Sequence, residues 1–406
     1  CGFRRLSPRS AVDDSRLLAF LQDLVRVDST PGRDEAVVRR IVEEMELLGF
    51  GDAAVDAAGN AVGSVGSGRP IVMIDCHVDT IPIHEQERWT HPPFAAEVDG
   101  GRIYGLGVAD MKASAAAAVY GAARLRERRA GKPGTLVVCC SIAEEMMEGA
   151  VLAATVDQWA PDLVVIGEPS DLKLCIGQRG RAKLEVLVTG KSSHAGHPEV
   201  GLNAAERMAE YVVAAAALQH PRDEVLGPRL LTCIDVHSEP YPSVSTVPAS
   251  CLARFDCRFG RGETEESLLA LMRGLGEVWK GLPRPPEMSC HLYRAEFVAH
   301  GQSYSVPEFA AAWFTNPGSA LVQASLAGLA DAGIQPVTAT YGFCTNGSLT
   351  AGLRAIPTVG FGIGREQEAH MVDEFVELDN LYRGTTGYSA IADRLLDLDV
   401  APTKMD

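Results

Sequence analysis

Three apolar runs in this chain break off into residues that can bind a metal or carry a proton, and that recurrence narrows the folds open to it. The first is Ile71-Val-Met-Ile-Asp75-Cys-His77-Val-Asp79-Thr80. Bounded by Gly68 and Pro70 on one side and Pro82 on the other, it reads as an interior parallel strand. Ligands of open α/β sheets bind beyond the carboxyl ends of the strands, and alternation puts His77 and Asp79 on one face. The second run, Thr135-Leu-Val-Val-Cys-Cys-Ser-Ile, leads into Ala143-Glu144-Glu145; the third, Asp162-Leu-Val-Val-Ile, leads into Gly167-Glu168-Pro169. Between the first two, Ile103-Tyr-Gly105-Leu-Gly107-Val-Ala-Asp110-Met-Lys112 ends just before an Ala-rich helix from Ala113 to Arg129. Each site has a plain alternative: a histidine bonded to its own backbone, a carboxylate capping a helix, a solvated Glu-Glu doublet. Together they form an imidazole and oxygen set that suits a borderline-hard divalent cation. His77 would then be a ligand, with Asp79 orienting its ring through the other nitrogen.

A chain of 406 residues exceeds the size at which one core keeps growing, so two domains are expected. Apolar residues at helical spacing predict helices over Ser15 to Arg26 and Asp34 to Leu48, before the His77 strand. The pattern changes near Arg181. Lys183 to Thr189 alternates as a half-exposed strand, Asn203 to Leu218 is helical, and Leu230 to Val236 and Ala249 to Phe259 are strands. Thr264 to Lys280 is helical and Ser289 to Phe297 a strand. The order β-α-β-β-α-β is the split βαβ, ferredoxin-like sandwich. The expected organisation is an α/β domain over residues 1–180, an inserted α+β domain over 181–298, and a return to the first domain over 299–406. The return carries helices over Ser319 to Ala332 and near Leu378 to Leu396, strands over Val337 to Cys344 and from Thr358, and a loop ending in Glu368-Ala-His370, a fifth candidate ligand.

A formal net charge of −16 argues against nucleic acid as a partner, because phosphate binding needs clustered Lys and Arg. No run reaches the roughly 18 apolar residues that span a bilayer, and the start, Cys1-Gly-Phe-Arg-Arg-Leu6, has no apolar signal core behind it. The ten cysteines lack CxxC spacing, which favours reduced thiols in a cytoplasmic protein.

Across nearly the whole chain, His77-Val-Asp79-Thr80, the Trp89 to Phe94 loop, Gly105-Leu-Gly-Val-Ala-Asp110-Met-Lys112, Glu144-Glu145, Gly167-Glu168-Pro169, Ser193-His194-Ala-Gly and Glu368-Ala-His370 occur in one order. In that order they resemble the dinuclear zinc hydrolases that include aminoacylases, glutamate carboxypeptidase, acetylornithine deacetylase and succinyl-diaminopimelate desuccinylase. Gly177-Gln-Arg-Gly-Arg181 and Cys344-Thr-Asn346-Gly347 resemble most the selenium-metabolism-linked subgroup. The resemblance implies a zinc-peptidase-like catalytic domain, with a mixed central sheet flanked by helices, and an inserted lid through which relatives form homodimers.

It also implies roles for particular residues. Asp110 would bridge two zinc ions (cobalt or manganese being possible), with His77 and Glu168 completing one site and Glu145 and His370 the other. Glu144 would be the general base, Asp79 would orient His77, and the Asp110-Met111 peptide would be cis. His194 would help to hold the developing oxyanion, Arg258 would bind a substrate carboxylate, and Asn346 would donate to the bound substrate. The implied reaction is hydrolysis of an amide in a small N-acyl amino acid, dipeptide or related carboxylate. A hydrolytic deaminase of a small amine could use the same site, and a metal-binding scaffold without turnover could keep the fold. Leu106 and Asn346-Gly347 depart from the usual residues of the family, in places that bear on substrate rather than on ligands.

Overall fold

Leu17, Leu21 and Leu24 line one face of α1 (Asp14–Val25), whose first turn is capped by the Asp13 side chain accepting the Arg16 N–H at 2.7 Å. The computed structural model that contains this helix describes residues 13–400, so the reading of Cys1 to Leu6 lies outside the described residues. After α2 (Glu35–Leu47) come two strands, β1 (Gly51–Val55) and β2 (Ala61–Ser67). Neither was expected, because their Ala, Gly and Ser residues give no apolar alternation to read. β3 (Ile71–His77) follows, buried from its second residue to its last. α3 (Ala113–Arg128) covers the sheet, β4 (Gly134–Ser141) is buried at all eight positions, and α4 (Leu152–Trp159), β5 (Leu163–Ile166) and β6 (Leu174–Gln178) complete this stretch. The chain then passes through β7 (Gly180–Thr189), α5 (Ala204–Ala216), β8 (Leu230–Glu239), β9 (Ser250–Phe259), α6 (Glu265–Leu275) and β10 (Glu287–Leu292). It closes with α7 (Ala320–Asp331), β11 (Thr338–Tyr341), β12 (Thr358–Gly360) and α8 (Leu378–Leu395).

By contact density the chain forms two units. Of the described residues, one comprises 13–178 with 296–304 and 314–400; the other comprises 179–295 and 305–313. In the first, the sheet order is β1-β2-β4-β3-β5-β12-β6, with β11 beside β6. β3 runs parallel to β4 and to β5, and β12 parallel to β5. β1 against β2, β2 against β4 and β12 against β6 are antiparallel, so the sheet is mixed. Met73, Val137, Cys139, Val164 and Ile166 turn one face toward Leu152 and Val156 of α4. Each such aliphatic side chain taken fully out of water contributes roughly 1.5–3 kcal/mol. On α3 the run of alanines permits close packing on α8: a Cβ on Gly121 would lie 2.9 Å from the Thr385 carbonyl oxygen, so only glycine fits there.

The second unit is a four-stranded antiparallel sheet in the order β8-β9-β7-β10, joined at β7 by the short strand Phe309–Ala310. With its chain order β7-α5-β8-β9-α6-β10, this is the ferredoxin-like arrangement. Along β9, Cys251, Ala253, Phe255, Cys257 and Phe259 are buried in alternation and pack with Met208, Tyr211, Leu268 and Met272 of the two helices. One sequence expectation is corrected here. Ser289 to Phe297 is not one strand: β10 ends at Leu292, and a separate strand, Arg294–Ala299, turns back at His300 and Gly301 into Gln302–Pro307. The expected return at 299 thus falls inside a hairpin, of which residues 296–304 count with the first unit and 294–295 and 305–307 with the second. Among the described residues, no helix is long and apolar enough to cross a membrane, and nine cysteines are free thiols.

Candidate metal centre

Because β3, β4 and β5 are parallel, their carboxyl ends open on one edge of the sheet. His77 is the last residue of β3, Glu144 and Glu145 follow β4, and Glu168 follows β5. Asp110 lies in the turn between Gly107 and α3, and its peptide to Met111 is cis. His370 comes from the loop beyond β12, at φ +62°. These six residues converge. Asp110 gives one oxygen to each histidine: Oδ1 lies 2.9 Å from His77 Nε2, and Oδ2 3.3 Å from His370 Nε2. On the His77 side, Glu168 Oε1 is 3.8 Å from Nε2; on the His370 side, Glu145 Oε1 is 2.8 Å from Nε2. Ligand atoms of His77, Glu144 and Glu168, and again of His77, Asp110 and Glu145, all lie within 4.8 Å of one another.

The electrostatics of the cluster are those of a site built for positive charge. Burial raises Glu144 and Glu168 well above the ordinary carboxyl range, and the Glu168 and Asp110 charges beside them add to it. Burial would raise Asp110 too, but its bonds to His370 and His77 hold it below the ordinary range. His77 keeps its proton despite burial because Glu168 and Asp110 face it, and His370 is pushed up to about 10 by its bonds to Asp110 and Glu145. Glu144 Oε1 is buried without a hydrogen-bond partner. Such an orphaned buried oxygen, among carboxylates held apart only by two imidazoliums, fits a group of the charge and hardness of a divalent cation. Binding it would displace the histidine protons.

Asp79 does more than face His77. Its carboxylate is 3.7 Å from His77 Nδ1, which is met instead by the Asp79 carbonyl oxygen at 3.1 Å. The carboxylate accepts the backbone N–H of Glu144 at 3.2 Å and of Glu145 at 3.1 Å. Ala143, at φ +56°, turns the chain so that both donors point the same way. Burial pushes Asp79 up to about 7.

Asn346, expected to donate to a bound substrate, makes bonds within the first unit. It is buried; its Nδ2 donates to Asp75 Oδ2 at 2.8 Å and Ser141 Oγ at 3.2 Å, and its Oδ1 accepts the Gly149 N–H at 2.6 Å. Those bonds occupy the amide. Arg258 and His194 belong to the second unit. The Arg258 guanidinium is paired with Asp256 on the same strand, Nε to Oδ1 at 2.7 Å, and His194 Nδ1 accepts the Gly196 N–H at 3.0 Å. Two further residues lie near the cluster: Glu374, which has no distinguishing mark in the sequence, and Lys112, which ends the Asp110 motif but is given no role by it. Glu374 is buried and accepts three backbone N–H groups from the Asp110 turn, with burial pushing it up to about 8. Lys112 is fully buried, donates to the Val27 carbonyl at 3.0 Å, and is pushed down to about 7 by burial.

Residues 73–394 match the model of peptidase family M20/M25/M40. The chain is 32% identical over 380 residues to the uncharacterized protein YgeY of Escherichia coli K12, covering 92% of each. To the succinyl-diaminopimelate desuccinylase of Afipia carboxidovorans it is 29% identical over 289 residues, 66% of this chain and 74% of that one. Among solved structures, aminopeptidase PepT from Bacillus cereus superposes with a TM-score of 0.72 at 19% identity, covering 95% of this chain and 99% of that one. The YXEP protein of Bacillus subtilis, a dinuclear metal-binding peptidase, gives 0.68 at 16% identity, with 95% and 98% covered. With a matched segment that contains every residue of the cluster, the chain belongs to peptidase family M20/M25/M40 and is a metal-dependent hydrolase.

Proposed function

We propose that this chain hydrolyses the amide bond of a small N-acyl amino acid, dipeptide or related carboxylate at a pair of zinc ions, with Glu144 as general base. The observation that carries the reading is Asp110 set between two imidazoles, one oxygen to each. Asp110, His77 and Glu168 would hold one cation, and Asp110, Glu145 and His370 the other. When bound, such a pair polarises a carbonyl and brings the pKa of a water toward about 7.

Glu144 stands beside the ligand Glu145 but binds through neither histidine, and its buried Oε1 is unpartnered. A carboxylate raised above its usual range is a better match for proton transfer near neutrality. It would take the proton of the attacking water at that oxygen and deliver it to the leaving nitrogen. The C–N bond breaks, and a carboxylic acid and an amine result. Asp79 fixes the base and its neighbouring ligand through their own backbone.

A cytoplasmic location and a homodimer formed through the second unit belong to the same proposal. The nine free thiols support the first. For the second, β8 is an edge strand that exposes Leu230, Ile234 and Val236, and an exposed apolar edge is a template for pairing with another chain.

The test is Glu144→Gln. Two zinc ions per chain should remain, and turnover of an N-acyl amino acid or dipeptide substrate should fall by about 10²–10⁴-fold. Wild-type turnover in that variant would take Glu144 out of the reaction.

A further inference from the structure

We infer that Glu374 is a positioning residue for the metal centre: it fixes the turn that aims Asp110 between the two histidines. This rests on the proposed reading of Asp110 as the ligand common to both cations. Glu374 Oε1 accepts the N–H of Ala109 at 2.7 Å and of Asp110 itself at 3.1 Å, while Oε2 accepts that of Gly107 at 2.9 Å. Three donors of one turn thus point at one carboxylate, which is 1% exposed. Glu374 is held to the same turn by its backbone as well, since its carbonyl accepts the Gly105 N–H at 3.0 Å and Phe375 pairs with Tyr104. On its other side the turn meets Gly364, where a Cβ would come within 2.2 Å of the Ala109 oxygen. The turn is therefore gripped on both sides, and the direction of the Asp110 side chain follows from where its own N–H is pinned.

Asp373, next in the chain, provides the internal comparison. It accepts the Thr90 N–H at 2.8 Å, the Thr90 hydroxyl at 2.7 Å and the His91 N–H at 3.0 Å. Two adjacent carboxylates thus make the same kind of clasp on different loops, and only that of Glu374 carries a ligand. An amide has a single acceptor oxygen, so Glu374→Gln must leave at least one of the three N–H groups facing an NH₂. Asp373→Asn removes the neighbouring charge without touching the Asp110 turn: its oxygen can keep the Thr90 and His91 N–H groups, both of which meet Oδ1, and its NH₂ can donate to the Thr90 hydroxyl.

The experiment is a calorimetric titration of metal-depleted full-length protein with Zn²⁺, with folding checked by circular dichroism. Wild type should take up two ions per chain. Glu374→Gln should bind at least one of them about 10–100-fold more weakly, the usual effect of removing a group that orients a ligand, while Asp373→Asn should stay within about threefold of wild type. Wild-type affinity for both ions in Glu374→Gln overturns the inference, as does an equal loss in Asp373→Asn, which would trace the effect to a lost charge rather than to the grip on the turn. Should Glu374→Gln not fold, Glu374→Asp keeps the charge but withdraws the oxygens by one methylene; weakened uptake is again expected, and full affinity again overturns. A wild type that binds no zinc overturns the reading of Asp110 first.

Discussion

Asp79 holds Glu145 by its backbone: Oδ2 accepts the Glu145 N–H at 3.1 Å, while Oδ1 accepts that of Glu144. One buried carboxylate behind β3 therefore sets the position of both the proposed base and the proposed ligand beside it. An asparagine offers only one acceptor oxygen, so Asp79→Asn must break one of these bonds and loosen the turn at Ala143. We expect turnover to fall by about 10–100-fold and zinc to bind more weakly in the same variant, measured by steady-state kinetics and by titration of the metal-depleted protein. If Asp79 acted on the His77 ring alone, Glu144 and Glu145 would keep their places in this variant; a crystal structure of Asp79→Asn with the turn unmoved would refute the account.

Removing metal should destabilise the first unit. Asp110, Glu144 and Glu168 are buried together, and with no cation their mutual repulsion is relieved only by protons on the cluster. A cation that binds only the folded chain adds stability as RT ln(1 + [L]/Kd), about 4 kcal/mol at a thousandfold excess over Kd. Chelation should therefore lower the unfolding midpoint, and returning zinc should raise it in a concentration-dependent way. A midpoint indifferent to zinc would mean that the cluster does not hold it.

Much of the cluster could be located in the sequence because all of its members but His370, which lies in a loop, follow a buried run or a glycine turn. His77, Glu144, Glu145 and Glu168 follow apolar stretches too regular to be loops, and the parallel order of β3, β4 and β5 brings their ends together. β1, β2 and β6 were not foreseen. β1 and β2, rich in small residues, carry no alternation signal, β6 is only five residues long and buried throughout, and the pairing of such strands is decided by neighbours distant in sequence. Glu374 is one of 53 acidic residues, and nothing local separates it from a solvated one; its three donors come from more than 260 positions earlier in the chain. Asn346 is the converse case. A polar residue in a matched motif suggests a substrate contact, and only the folded chain shows its amide consumed by Asp75, Ser141 and Gly149.

That network makes Asn346→Ala a test of stability rather than of substrate binding. The change orphans the Gly149 N–H and removes a donor from Asp75, whose Oδ1 already lacks a partner. Each buried group left unsatisfied costs about 1–3 kcal/mol, so the unfolding midpoint should drop by several degrees. Near-wild-type melting together with a raised KM would instead return Asn346 to the substrate.

In the second unit, Asp223 should set part of the acid limb of stability. Its carboxylate takes the Arg261 side chain, Nε to Oδ2 at 2.8 Å, and the N–H groups of Val225, Leu226 and Arg261. The Arg261 bond, helped by those N–H groups, holds it well below the ordinary carboxylate range against a modest opposing effect of burial. In the unfolded chain its pKa is about 3.9, so the folded form binds a proton less readily. Its contribution is then fully present above about pH 4 and is lost as the pH falls through the lowered folded value. Asp223→Asn should cost on the order of 1–2 kcal/mol at pH 7, and the gap to wild type should narrow in urea melts taken at pH 3 and below. A gap that stays constant from pH 7 to pH 2 would show that the charge on Asp223 contributes nothing and that only its shape is needed.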